Sequence, residues 1–143
     1  MSWLRSLRGE HRAAGAGRRA NADLAVYLVS VQPYLGQVER VLMEEWPDAF
    51  SSGTLDIVQQ TVARTMPVLQ RAGDHLAATP TPALFRRASD LMQAAIGGYV
   101  SAGERWLEGD IDGATAAMTS ALDTWTRGNE ELDDLKRRTM PPG

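Results

Sequence analysis

Residues 111–135 read IDGATAAMTSALDTWTRGNEELDDL, with apolar or small side chains at Ile111, Ala114, Met118, Ala121, Trp125, Gly128, Leu132 and Leu135. The gaps alternate between three and four, which keeps all of these positions on one stripe of an α-helix. The spacing recurs upstream at Phe85, Ala88, Met92, Ala95, Tyr99, Ala102 and Trp106, and again at Leu24, Leu28, Val31, Leu35, Val38 and Leu42. A further set, Leu55, Val58, Val62, Met66, Leu69 and Leu76, completes four such segments. Helices with a continuous apolar stripe bury it by packing along one another.

Proline, glycine and capping residues place the boundaries. Trp46-Pro47 ends the first helix, because a residue before proline is pushed out of helical geometry. Thr79-Pro80-Thr81-Pro82 is a stop followed by a start, with Thr81 as cap and Pro82 in the first helical position. Gly109 closes the third helix and Asp110 caps the fourth. These signals predict helices over residues 21–45, 52–78, 82–108 and 111–137, with Asn21 or Asp23 capping the first. Pro33 and Pro67 lie inside helices and predict a kink at each. Short connections make sequential helices antiparallel, so Met92 is expected near Trp125, Tyr99 near Met118 and Phe85 near Leu132. The fold class that follows is all-α: an antiparallel up-and-down four-helix bundle over residues 21–138. A short basic extension over residues 1–20 precedes it, and a disordered end over residues 139–143 follows.

The bulk composition agrees. The chain has 143 residues, of which 43% are hydrophobic and 23% charged, ordinary values for one globular domain. It contains no cysteine, which excludes disulfides, thiolate metal sites and cysteine nucleophiles together. No apolar run approaches the roughly 20 residues of a membrane-spanning helix. After Arg5 and Arg8 comes Gly-Glu-His-Arg in place of the apolar stretch of a secretory signal, so a cytoplasmic location is expected. The net charge of −3 is unevenly divided: residues 1–20 carry +4 and the remainder −7. An acidic body argues against nucleic acid as a partner, since phosphate binding needs a basic face.

Few side chains are arranged for chemistry. A di-iron bundle needs Glu-x-x-His on two helices, and neither His11 nor His75 has a glutamate three residues before it. Glu108, Asp110 and Asp112 open like a calcium loop, but position twelve falls on Thr119 instead of a bidentate acid. Residues 130–134 hold Glu-x-x-Asp twice, as in the second half of the magnesium site of all-α nucleotide pyrophosphatases. The first half, Glu-x-x-Glu on another helix, is absent, and Lys136 to Arg138 lie at ion-pairing distance along the helix. No metal or other cofactor is expected. His75, beside Asp74 near a helix end, is expected to do no more than complement the helix dipole.

Two features remain. Gly97-Gly98 costs about 2 kcal/mol of helix stability relative to alanine, which calls for close helix approach or room beside a ligand. The ligand-binding candidates on the second reading are Met92, Gly97, Gly98, Tyr99, Met118 and Trp125, around a small apolar cavity. The basic extension mixes Trp3, Leu4 and Leu7 with Arg5, Arg8 and Arg12, a composition suited to peripheral membrane contact, to a partner's acidic groove or to the chain's own acidic body. The first helix carries apolar residues beyond its seam, namely Val26, Tyr27, Val29, Tyr34 and Val41. That excess predicts a non-enzymatic interaction module that binds another protein or a second copy of itself. The alternatives are a carrier or sensor of a small apolar ligand near Gly97-Gly98, and a magnesium-dependent nucleotide hydrolase on the acidic face at residues 130–134.

Overall fold

The computed structural model describes the backbone of residues 15–139 and the side chains of residues 22–138. Its elements are α1 (Gly15–Arg40), a π-helical turn (Val41–Glu45), α2 (Trp46–Ser51), α3 (Leu55–Ala78), a 3-10 turn (Ala83–Phe85), α4 (Arg86–Leu107) and α5 (Ile111–Thr139). The four long helices, α1, α3, α4 and α5, pack as the expected bundle, and the described residues contain no strand. The closest-packed pair is the α4–α5 hairpin, whereas α1 packs chiefly on α3.

The apolar stripes form the core almost as spaced. Leu28, Val31, Val38, Leu69, Leu76, Phe85, Ala95 and Leu135 are fully buried. Each large aliphatic side chain taken out of water in this way contributes about 1.5–3 kcal/mol. Leu55 and Ile111 depart from expectation. Each opens its helix, beyond the cover of its neighbours, and they remain 39% and 47% exposed. Aromatic rings join the layers at both ends. Tyr27 meets Phe85 with ring centres 5.6 Å apart, while Trp46 contacts both Phe50 and Tyr99, and Phe50 packs on Trp106 at 5.3 Å.

The α4–α5 turn is built as its residues dictate. Gly109 takes φ +79°, the left-handed conformation that glycine enters at no steric cost. The Asp110 amide then reaches the Arg105 carbonyl at 2.9 Å and the Gly109 amide the Trp106 carbonyl at 3.1 Å, closing α4 with a Schellman motif. Asp110 Oδ1 accepts the Gly113 amide at 3.0 Å and so caps α5. Along the hairpin Arg87 pairs with Glu131, Met92 lies over Gly128, and Gly98 faces Ala121. This register stays within one helical turn of the expected one.

Four boundaries need correction. α1 begins at Gly15, inside the expected extension, because Ala16, Arg18, Arg19 and Ala20 are strong helix formers that outweigh two glycines. The helix also continues past Trp46-Pro47. The Trp46 amide bonds back to the Val41 carbonyl, an i→i−5 link that widens one turn just before Pro47, whose ring a regular α-helical turn would crowd. The chain then stays helical to Ser51. Thr81 does not cap α4, since its hydroxyl donates to the Thr79 carbonyl at 3.1 Å and the helix proper starts at Arg86 after a 3-10 turn. At the far end α5 includes Thr139, the first residue of the expected disordered end. Helices α1 and α3 are unbroken at Pro33 and Pro67.

Candidate functional site

Two heptad-spaced stripes run along α1, and they meet different fates. The inner one, Leu24, Leu28, Val31, Leu35, Val38 and Leu42, is buried apart from the half-buried Leu35. The outer one, Ala22, Val26, Val29, Pro33, Gly36, Arg40 and Met43, is exposed at every position, with Val26 71%, Val29 51% and Met43 47% accessible. Its gaps are again four and three, and Arg40 is its single charged member. Isolated exposed valines are normal, but a row with a single charge at packing spacing over about 30 Å of helix has the pattern of a docking seam.

The excess of apolar residues on α1 therefore has two causes. Tyr27 and Val41, expected on the free face, are buried at 5% and 2% exposure and belong to the core, and Tyr34 is half-buried. Val26 and Val29 alone of that set stay in water. Beside Val26 and Ser30 an open cleft separates α1 from residues 79–82, with Asp23 and Thr79 on its rim.

His75 holds this region together. Its ring stacks on Tyr34 at 3.8 Å between centres and 9° between planes, and Nε2 lies 3.0 Å from both the Ser30 carbonyl and the Ser30 hydroxyl. A carbonyl only accepts, so Nε2 carries the proton and donates. The nitrogen facing Ser30 is thus no base for its hydroxyl, and the pair ties the end of α3 to the middle of α1. A dipole role alone does not describe this residue. Nearly three turns closer to the start of α3, Thr65 accepts the Trp46 indole N–H at 2.8 Å and donates to the Thr61 carbonyl at 2.8 Å. That link secures the widened turn against α3.

The candidate ligand residues differ in what they touch. A methyl group added at Gly98 would lie 3.0 Å from the Ala121 β-carbon, so Gly98 permits close approach of α4 and α5. At Gly97 the same group meets nothing within 4 Å, and this residue faces an open groove between α3 and α4 lined by Leu69, Gly73 and Val100. Met92 packs on Gly128, and Met118 receives the Trp106 indole N–H at 3.1 Å. Tyr99 and Trp125 are buried at 3% exposure each. Burial raises the Tyr99 phenol from 10.0 to about 12, because the charged form would be poorly solvated there.

Several acidic residues are engaged in ion pairs. Asp110 combines its capping bond with an ion pair to Arg105 at 3.3 Å. Glu131 pairs with Arg87 and Asp134 with Arg138, at 3.9 and 2.7 Å. Among the described residues no group of three or more acidic or imidazole side chains stands close enough to hold a metal ion, and no helix is long and apolar enough to cross a membrane. Trp3, Leu4, Arg5, Leu7, Arg8 and Arg12, the candidate partner or membrane contacts, lie outside the described residues, as do residues 140–143.

Comparison of the chain with protein-family models, curated proteins and solved structures gives no match.

Proposed function

We propose that this protein is a non-enzymatic interaction module that docks a protein partner on the outer face of α1. The observation that carries the reading is the exposed heptad row centred on Val26, Val29 and Pro33, on a helix whose opposite row already fills the core. Apolar association along such a row is driven by the same loss of wetted surface that buries the inner one. The rest of the molecule supports a scaffold role. Its interior polar groups, Thr65 with Trp46 and Ser89 with Gln93, bond to one another, and Glu131 and Asp134 on the acidic face of α5 pair with Arg87 and Arg138.

The test is retention of a protein by the tagged full chain, from an extract supplemented with untagged chain, compared with a Val26→Asp/Val29→Asp variant. The wild type should hold a partner in stoichiometric amount that the variant loses, with the melting temperatures of the two chains alike. Equal retention by both would reject the α1 face as the docking surface.

A further inference from the structure

Trp106 gathers three other elements around itself. Its indole packs on Phe50 of α2 with ring centres 5.3 Å apart, and its carbonyl accepts the Gln59 side-chain amide of α3 at 3.0 Å. Its indole N–H donates to the Met118 sulfur of α5 at 3.1 Å. A thioether is a weak acceptor, and among the described residues Met118 is the one methionine whose sulfur takes a hydrogen bond. Met66 and Met92 are buried at 7% and 2% exposure, with their sulfurs beside Gly103 and Gly128, while Met43 stands 47% exposed. Met118 falls between these cases, half-buried against the edge of the core.

The chain has no cysteine, so methionine sulfur is the group that a peroxide attacks first. We propose that Met118 is a site of sulfoxide formation by hydrogen peroxide, with the product held by the Trp106 indole N–H. A sulfur lone pair attacks one peroxide oxygen, and the S–O bond forms as the O–O bond breaks. The departing hydroxide takes the proton of the transferred hydroxyl and leaves as water, so sulfur gives up two electrons and peroxide gains them. Sulfur has two lone pairs, and the indole N–H occupies one. Oxygen therefore adds at the other, which favours one of the two sulfoxide epimers. A sulfoxide oxygen is a far stronger acceptor than a thioether, and the unbranched side chain is free to turn it towards the indole. Met66 and Met92 make no such bond, and an oxygen on either would be buried unpaired. Sulfoxide reductases reverse the step. Through Trp106, the state of one sulfur on α5 reaches Phe50 on α2 and Gln59 on α3.

The test treats the folded full chain with hydrogen peroxide and follows each methionine by peptide mass. Met43 should oxidise first and Met118 next, with Met66 and Met92 protected until urea unfolds the chain. Reductases specific for each epimer, applied to the digested peptides, should find Met118 sulfoxide in about fivefold excess of one hand, as one ordinary hydrogen bond on a lone pair dictates. Met43 sulfoxide should be close to an equal mixture. In a proton–nitrogen spectrum the indole signal missing from Trp106→Phe should move on oxidation, and in Met118→Leu it should stay. Should Trp106→Phe fail to fold, the same signal is assigned by its Overhauser contact with the Met118 methyl group. Three results each overturn the proposal: Met118 unoxidised until urea is added, equal epimers at residue 118, or a Trp106 signal that does not move in the oxidised chain.

Discussion

The α4–α5 hairpin and α1 are both long amphipathic helical segments, yet they use their surfaces in opposite ways. Between the two helices of the hairpin the notches are filled from across the contact: Ala121 sits against Gly98 and Met92 against Gly128. Its outer side is broken by charge, with Asp123, Arg127, Asp134 and Arg138 paired along α5. In α1 one row is as well buried as any in the hairpin, while the other repeats the spacing in open water and leaves Gly36 unfilled. Small residues at heptad spacing thus have two meanings. Where a neighbour presses on them they are architecture, and where nothing does they mark a place for something else.

The sharpest way to break this distinction is within the adjacent glycines of α4. Gly98→Leu drives a branched side chain into Ala121 and should destabilise the protein by about 3 kcal/mol, seen as a lower urea midpoint with an unchanged slope. If the variant matches wild type, the hairpin is not close-packed and the contrast with α1 collapses. Thr65→Val tests the α1 side. It preserves shape but leaves the buried Trp46 indole N–H without its 2.8 Å acceptor, and should cost about 1–3 kcal/mol in the same assay. A neutral result would mean that the widened turn holds without its tie to α3.

Gly97→Ala should raise stability by up to about 1 kcal/mol, since the new methyl meets nothing and alanine favours the helix. A loss would show that the groove beside Leu69 and Val100 is filled. The smallest effect concerns pH. Tyr99 has its folded pKa raised from 10.0 to about 12, so its contribution is fully present below pH 10 and is lost as pH climbs towards 12. Tyr99→Phe should therefore show a shallower fall in melting temperature across that window. Identical alkaline profiles would place the phenol in water and not against Trp46.

The hairpin was legible in the sequence because its determinants are local. A three-four repeat identifies each helix, and Gly109-Asp110 specifies a turn whose hydrogen bonds run between residues at most five apart. α1 was legible only in part. Pro47 signals a helix end to any local reading, and its tolerance depends on the π turn and on a bond from Trp46 to Thr65 across to α3. Tyr27 and Val41 looked free because a single stripe covers one contact, whereas α1 is covered from more than one direction through Phe85 and the bundle's aromatic end. His75 offered no clue at all. Its partners Ser30 and Tyr34 lie on another helix, 45 residues away in the case of Ser30. The exposed valines were found, but only their accessibility separates them from Tyr27 beside them.

The most direct measurement compares the two regions in one experiment, through the alkylation rate of a single thiol placed at Val26 or at the hairpin's exposed Leu122. Protein in its native extract should react more slowly at residue 26 than dilute purified protein does, with the protection abolished by Val29→Asp, and at the same rate in both samples at residue 122. Equal rates at residue 26 in extract and in dilute solution would mean that nothing docks on α1, and would contradict the reading of this protein as an interaction module.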